Sequence, residues 1–145
     1  MVDTSMKEPS MREAIARGTV LMHRDTVALI VAGKVPKGDV LSVARIAGIM
    51  AAKKTGDMIP MCHPIELTNV DIQFEINAGS GKIVIEAKAK TVARTGVEME
   101  AMTAVSVAAL TIYDMCKSAD KNIVLSDIKL MSKYGGKSGP FVRQE

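Results

Sequence analysis

The chain has 145 residues, 48% of them hydrophobic and 24% charged, and 19 Lys+Arg against 16 Asp+Glu give a net charge of +3. That length and mixture fit one domain whose core needs no disulfide staples, and exclude a disordered or fibrous chain. Aromatic residues make up 3% with no Trp, so base-stacking platforms are scarce and no nucleic-acid groove is expected.

Residues 1 to 14 are polar and Met-rich without clear periodicity, and read as a loosely held arm. They contain no apolar signal-peptide core, which points to the cytoplasm. Gly18 to Arg24 reads as a short strand, and Asp25-Thr26 as the cap of a brief helix, Val27 to Ala32, that stops at Gly33. After Gly38-Asp39, the residues Val40, Val43, Ala44, Ala47 and Ala51 recur at helical spacing, with Lys53 and Lys54 at the negative end of the helix dipole. Val70, Ile72, Phe74 and Ile76 then alternate with polar residues, as a half-buried strand requires. Ala78-Gly79-Ser80-Gly81 turns the chain into a second alternating run at Ile83, Ile85, Ala87 and Ala89, which predicts an antiparallel hairpin.

Thr95-Gly96 opens a long helix with Ala101, Val105, Ala108, Ile112 and Cys116 on one stripe, ending near Ala119. Its most apolar part, Ala104 to Tyr113, is about half of the ~20 residues that span a bilayer, so no membrane span is expected. A last strand, Ile123 to Leu130, leads into a Gly-rich tail. Strands with one apolar face and two substantial helices predict an α+β two-layer sandwich, ferredoxin-like, with helices on one face of an antiparallel sheet. The chain reads as one domain, 1–145, with 1–14 and 135–145 mobile.

Few residues carry obvious chemistry. Cys62 and Cys116 cannot form a disulfide framework and fit a reducing compartment. Cys62-His63 has only Cys116 and His23 as further soft ligands, too few at metal spacing, so no metal is expected; a buried, satisfied histidine is the plain alternative to a proton-transfer role for His63. Gly136-Lys137-Ser138 imitates the end of a P-loop, but Met131 stands where the first Gly belongs and no helix follows. Lys133, Lys137 and the glycine amides could still grip an anion. Lys37 gains nothing from the nearby helix N-terminus, so an anion beside it would explain its place, as would simple solvation. Asp114 and Lys117 are helical neighbours, either a surface pair or a proton-transfer pair, and Glu98 and Glu100 complement the dipole of the long helix.

Together, several segments resemble a known family: Lys37-Gly38-Asp39-Val40, Ala44-Arg45-Ile46-Ala47-Gly48-Ile49, Ile59-Pro60-Met61-Cys62-His63-Pro64, Thr95-Gly96-Val97-Glu98-Met99-Glu100-Ala101, Leu110-Thr111-Ile112-Tyr113-Asp114-Met115-Cys116-Lys117, and Gly135-Gly136-Lys137-Ser138-Gly139. They are similar, in order, to the molybdenum-cofactor biosynthesis protein C family, the cyclic pyranopterin monophosphate synthases, from about Met1 to Phe141. The resemblance implies a ferredoxin-like lyase that converts 3′,8-cyclised dihydro-GTP, made by an upstream radical enzyme, to cyclic pyranopterin monophosphate with loss of diphosphate. It further implies a homohexamer, a trimer of dimers, with sites at subunit interfaces and no cofactor. Carried over by motif, Lys37, His63, Asp114 and Lys117 are catalytic, with Asp114 the acid/base. Met61, Cys62, His63, Met99 and Glu100 contact substrate, with Glu98 beside them. Met61 stands where the family commonly has Leu, and Tyr134 where it has a smaller residue; neither removes a reacting group. The competing reading is a non-catalytic nucleotide-binding oligomeric module that kept this fold.

Overall fold

The computed structural model describes residues 1–145. In chain order the elements are β1 (Ser10–Leu21), α1 (Arg24–Val31), α2 (Val40–Lys53), α3 (Thr55–Met58), β2 (Asn69–Asn77), β3 (Lys82–Ala93), α4 (Glu98–Cys116), β4 (Val124–Tyr134) and β5 (Phe141–Val142). The strands form one antiparallel sheet in the order β2-β3-β1-β4-β5. Its first four strands have the ferredoxin-like order, with helices crossing over between β1 and β2 and between β3 and β4. The expected α+β sandwich is therefore present.

Small residues set the spacing of the layers. Ala14, Ala16 and Val20 of β1 and Ile83, Ile85, Ala87 and Ala89 of β3 share one buried cluster with the inner stripe of α4. All five stripe residues expected on that helix, Ala101, Val105, Ala108, Ile112 and Cys116, are buried. By length and composition α4 could cross a membrane, but half of it is buried, as in the core helix of a sandwich. On α2 the inner face is Val40, Ala44, Gly48, Ala51 and Ala52, whereas Val43 is turned outward. A Cβ on Gly48 would lie 2.5 Å from the Ile72 Cδ1 and 2.8 Å from the Ala104 carbonyl, so only glycine lets α2 lie this close to α4.

Three boundaries differ from the sequence reading. The first strand starts at Ser10 rather than Gly18, and Ala14 in the expected loose arm is a core residue. Its inward positions are mostly Ala and Gly, between charged Arg12, Glu13 and Arg17, so the alternation carries little hydrophobic contrast. The first helix is capped by His23, whose Nδ1 accepts from the Asp25 amide at 3.1 Å, rather than by Asp25-Thr26. The last strand runs on to Tyr134, and Phe141–Val142 adds an edge strand opposite Ser132 and Lys133. The open sheet face is polar and cross-braced, with Arg17 on Glu86 at 2.7 Å and Lys90 on Glu13 at 3.2 Å.

Candidate active site

The helix α4 organises the chemistry, because candidate residues gather at both of its ends. At its C-terminus, Asp114 is exposed and accepts from two ammoniums, Lys117 Nζ at 2.8 Å and Lys37 Nζ at 2.9 Å. Lys37 arrives from the turn before α2, whose own N-cap is Asp39, with its Oδ1 3.2 Å from the Ser42 amide. Asp114 is thus the anion that accounts for the position of Lys37. The last carbonyls of a helix carry partial negative charge, so both ammoniums are favoured there.

The hydrogen bonds from Lys117 and then Lys37 hold the Asp114 carboxyl at about 2, well below the ordinary aspartate range, and Asp114 in return raises Lys117. A depressed carboxyl contributes stability above its unfolded value, and that contribution disappears as pH falls through the folded value. Carbon-13 NMR of the Asp114 carboxyl is expected to titrate near pH 2, and Lys117→Ala to move the midpoint upward. An unchanged midpoint in that variant would show that the pair is not formed.

At the N-terminal end of α4, a cavity of about 570 Å³ is lined by Met61, Cys62, His63, Thr95, Gly96, Glu98 and Met99, together with Val2, Thr4 and Lys7. This size suits a small molecule. The loop after α3 supplies Met61 to His63; the Cys62 amide donates to the Ile59 carbonyl at 3.1 Å, a turn that sets the loop. His63 Nε2 lies 2.7 Å from the Val2 carbonyl. Below the cavity wall, Cys62 Sγ donates to Glu100 Oε1 at 3.8 Å, and Glu100 is only 2% exposed. Its other carboxyl oxygen, Oε2, is buried with no partner.

Burial chiefly pushes Glu100 up, and burial with the Glu100 charge pushes the Cys62 thiol up. A raised carboxyl favours the protonated folded chain. Its contribution is therefore complete below the unfolded value of 4.5 and is lost as pH rises through the folded value. Glu100→Gln is expected to stabilise the protein at pH 8 by about 1 kcal/mol, with a smaller gain at pH 4, because the buried charge is removed. Thermal melts at the two pH values check this, and equal gains at both would contradict it.

A second cavity of about 700 Å³ adjoins the first and shares Lys7, Thr95, Gly96 and Glu98 with it. Its wall carries Lys7, Arg12, Lys133 and Lys137 against Glu8 and Glu98, an excess of cations suited to a polyanion. Lys133 bridges Glu98 at 3.2 Å and donates to Ser138 Oγ at 3.2 Å. Gly136 has φ +88°, and a Cβ there would lie 2.5 Å from an Arg12 guanidinium nitrogen, so glycine lets the tail close over that side chain.

The fold therefore gathers Met61, Cys62, His63, Glu98, Met99, Glu100, Lys133 and Lys137 at one end of α4, and Lys37, Asp114 and Lys117 at the other. From Met99 to Asp114 is about 22 Å at the usual helical rise, so one chain does not bring the two groups together. The sequence reading did not include Arg12, because it placed that residue in the loose arm; a strand pattern of small residues starting at Ser10 is the signal that would have set it in the sheet.

Comparison with known proteins identifies the family. A profile of the MoaC family matches residues 1–136. A protein of Heliobacterium modesticaldum named cyclic pyranopterin monophosphate synthase is 61% identical over 145 residues, covering 100% of this chain and 91% of that protein. Proteins with the same name from Desulfitobacterium hafniense and Pelotomaculum thermopropionicum are 57% and 55% identical, over 100% and 99% of this chain and 88% and 85% of their own lengths. With a family match across nearly its whole length and relatives this similar, the chain belongs to the MoaC family.

Proposed function

We propose that the chain is a lyase of molybdenum-cofactor biosynthesis that converts 3′,8-cyclo-7,8-dihydro-GTP to cyclic pyranopterin monophosphate and diphosphate. The relatives' shared name supports the reaction, and the two half-sites on α4 support the way it is carried out. Rebuilding a purine into a pterin moves protons at several atoms, and expelling diphosphate from a triphosphate needs cations around the leaving group. Lys133, Lys137 and Arg12 line a cationic cavity of the right kind for the phosphates. Met61, Cys62, His63 and Met99 bound the adjoining cavity for the ring system, with Glu98 between the two and Glu100 beneath.

Asp114, Lys117 and Lys37 supply the proton-transfer and charge-stabilising groups. In the resting chain Asp114 is a doubly bonded anion and a weak base. When one ammonium swings onto substrate, a carboxylate oxygen is freed and its basicity rises, which suits the acid/base role.

The observation that carries the reading is the separation of these groups along α4. A working site needs the Asp114 end of one chain set against the His63 end of another, so the protein acts as an oligomer, which the family resemblance makes a hexamer built as a trimer of dimers. Each site then takes Lys133 and Lys137 from the chain that supplies His63. No cofactor is assigned. Both cysteines are free, in keeping with work in the cytoplasm on the product of an upstream radical enzyme. Incubating the purified protein with the cyclised nucleotide and following diphosphate and pterin tests the reaction. Tight binding of the nucleotide with no product would replace it with a non-catalytic nucleotide-binding module.

A further inference from the structure

One carboxylate holds the turn after α4 to the start of α1. Asp120 Oδ2 accepts from the His23 amide at 2.9 Å and from the Thr26 hydroxyl at 3.2 Å, and its Oδ1 accepts from the Asn122 amide at 2.9 Å. His23 is the N-cap of α1, and Thr26 lies three residues further on, buried. In a capping box, a glutamate at that third position reaches back to the N-cap amide. Here the anion comes from 97 positions away in the chain and takes the N-cap amide and the third residue's hydroxyl together.

These bonds join the two segments that bring ammoniums to Asp114. On one side, the Ala119 and Asp120 amides both donate to the Cys116 carbonyl, at 2.9 and 3.0 Å, so Asp120 closes the helix end from which Lys117 reaches Asp114. On the other side, α1 passes into tight turns, with the Lys34 amide donating to the Leu29 carbonyl at 2.9 Å and the Gly38 amide to the Val35 carbonyl at 3.0 Å. Val35 is a core residue, and Lys37 sits between it and Gly38. Lys37 and Lys117 therefore approach Asp114 from two segments tied together at Asp120. The partners of Asp120 are amides and a hydroxyl, which fix a geometry; they hold its carboxyl below the ordinary aspartate range, the His23 amide most of all.

We infer that Asp120 is a positioning residue for the reaction, setting the end of α4 and the connection through α1 so that Lys117 and Lys37 converge on Asp114. This rests on the proton-transfer role proposed above for that group. Asp120 acts only through the two lysines, so its removal loosens their hold on Asp114 and leaves the ring and phosphate cavities at the other end of α4 as they are.

The test reads the Asp114 carboxyl by carbon-13 NMR in the full assembled protein, beside steady-state kcat and KM on the cyclised nucleotide. Asp120→Asn leaves one oxygen for the donors that the carboxylate serves. It is expected to move the Asp114 midpoint upward from about 2 and to lower kcat about tenfold with KM within about threefold, as misplacing a reacting group does. Thr26→Val, which removes only the hydroxyl, should move midpoint and kcat the same way by less, and Thr26→Ser should restore both. This milder pair decides the matter should Asp120→Asn fail to fold. Ile85→Val trims the core away from these bonds; it should lower the melting temperature yet keep midpoint and kcat, which separates positioning from lost stability. A parental Asp114 midpoint in folded Asp120→Asn and Thr26→Val proteins would overturn the positioning role, whatever the rate does. A raised midpoint with parental kcat, or in a protein whose parent makes no product, would uphold the positioning and overturn the reaction role it serves.

Discussion

Asp114→Asn is expected to lower turnover by about a hundredfold or more while leaving the fold and the assembly intact, as loss of a general acid/base usually does. The side chain is about half exposed, so the nearly isosteric amide leaves the folded chain unstrained. Chemically the change is large. The carboxylate accepts from two ammoniums at once, and an amide has only one oxygen to offer, turning its own N–H groups toward the other cation. Lys117 and Lys37 then lose the group that fixes them, and no carboxylate remains to receive a proton. Lys117→Ala and Lys37→Ala should fall in the same range, Lys37→Ala with a smaller loss of nucleotide affinity than of rate if its charge acts in the transition state. Product formation by Asp114→Asn and Lys117→Ala proteins, folded and assembled, at close to the parent rate would reduce the cluster to a solvent-screened surface ion pair.

The second large effect is a gain rather than a loss. His63→Ala and Asp114→Asn proteins should each be nearly inactive alone, yet mixed, dissociated and reassembled they should recover activity. Because the two residues lie at opposite ends of α4, each variant still carries one intact half-site. Random pairing of equal amounts places an intact half of each kind together in about a quarter of sites, which sets the expected recovery. Co-expression with two affinity tags and purification of the mixed species measures it. Mixed oligomers as inactive as their parents would mean that His63 and Asp114 act within one chain, against the separation along α4.

Much of this was legible in sequence because strong periodicity met strong punctuation. The β2–β3 hairpin alternates large apolar and polar residues around a Gly turn, and α4 sets five inward residues on one stripe. Elements built from small residues were less legible. The start of β1 is hidden among Ala, Gly and charges, and Gly48 displaces Val43 from the inner face of α2 because close helix approach selects the smallest residue rather than the most apolar one. The candidate site could be listed from the sequence as residues, but its geometry could not. Spacing joined Asp114 to Lys117, yet the bond from Lys37 to Asp114 spans 77 positions and depends on how α2 lies beside α4. The orphaned acceptor on Glu100 was equally hidden, since glutamate in the first turn of a helix ordinarily faces water and serves the dipole. Arg12 and Lys7 were missed for one reason: the N-terminal segment looked unstructured, whereas its strand and its turn lie against the cavities.

The most direct measurement is a crystal structure of the assembled Asp114→Asn protein soaked with the unreacted cyclised nucleotide. The expected density places the ring system against Met61, His63 and Met99 and the phosphates against Arg12, Lys133 and Lys137 of one chain. Lys37 and Lys117 of a second chain should reach the same molecule. A nucleotide held entirely by one chain, with no Lys37 or Lys117 ammonium in hydrogen-bond reach, would contradict the two-chain site.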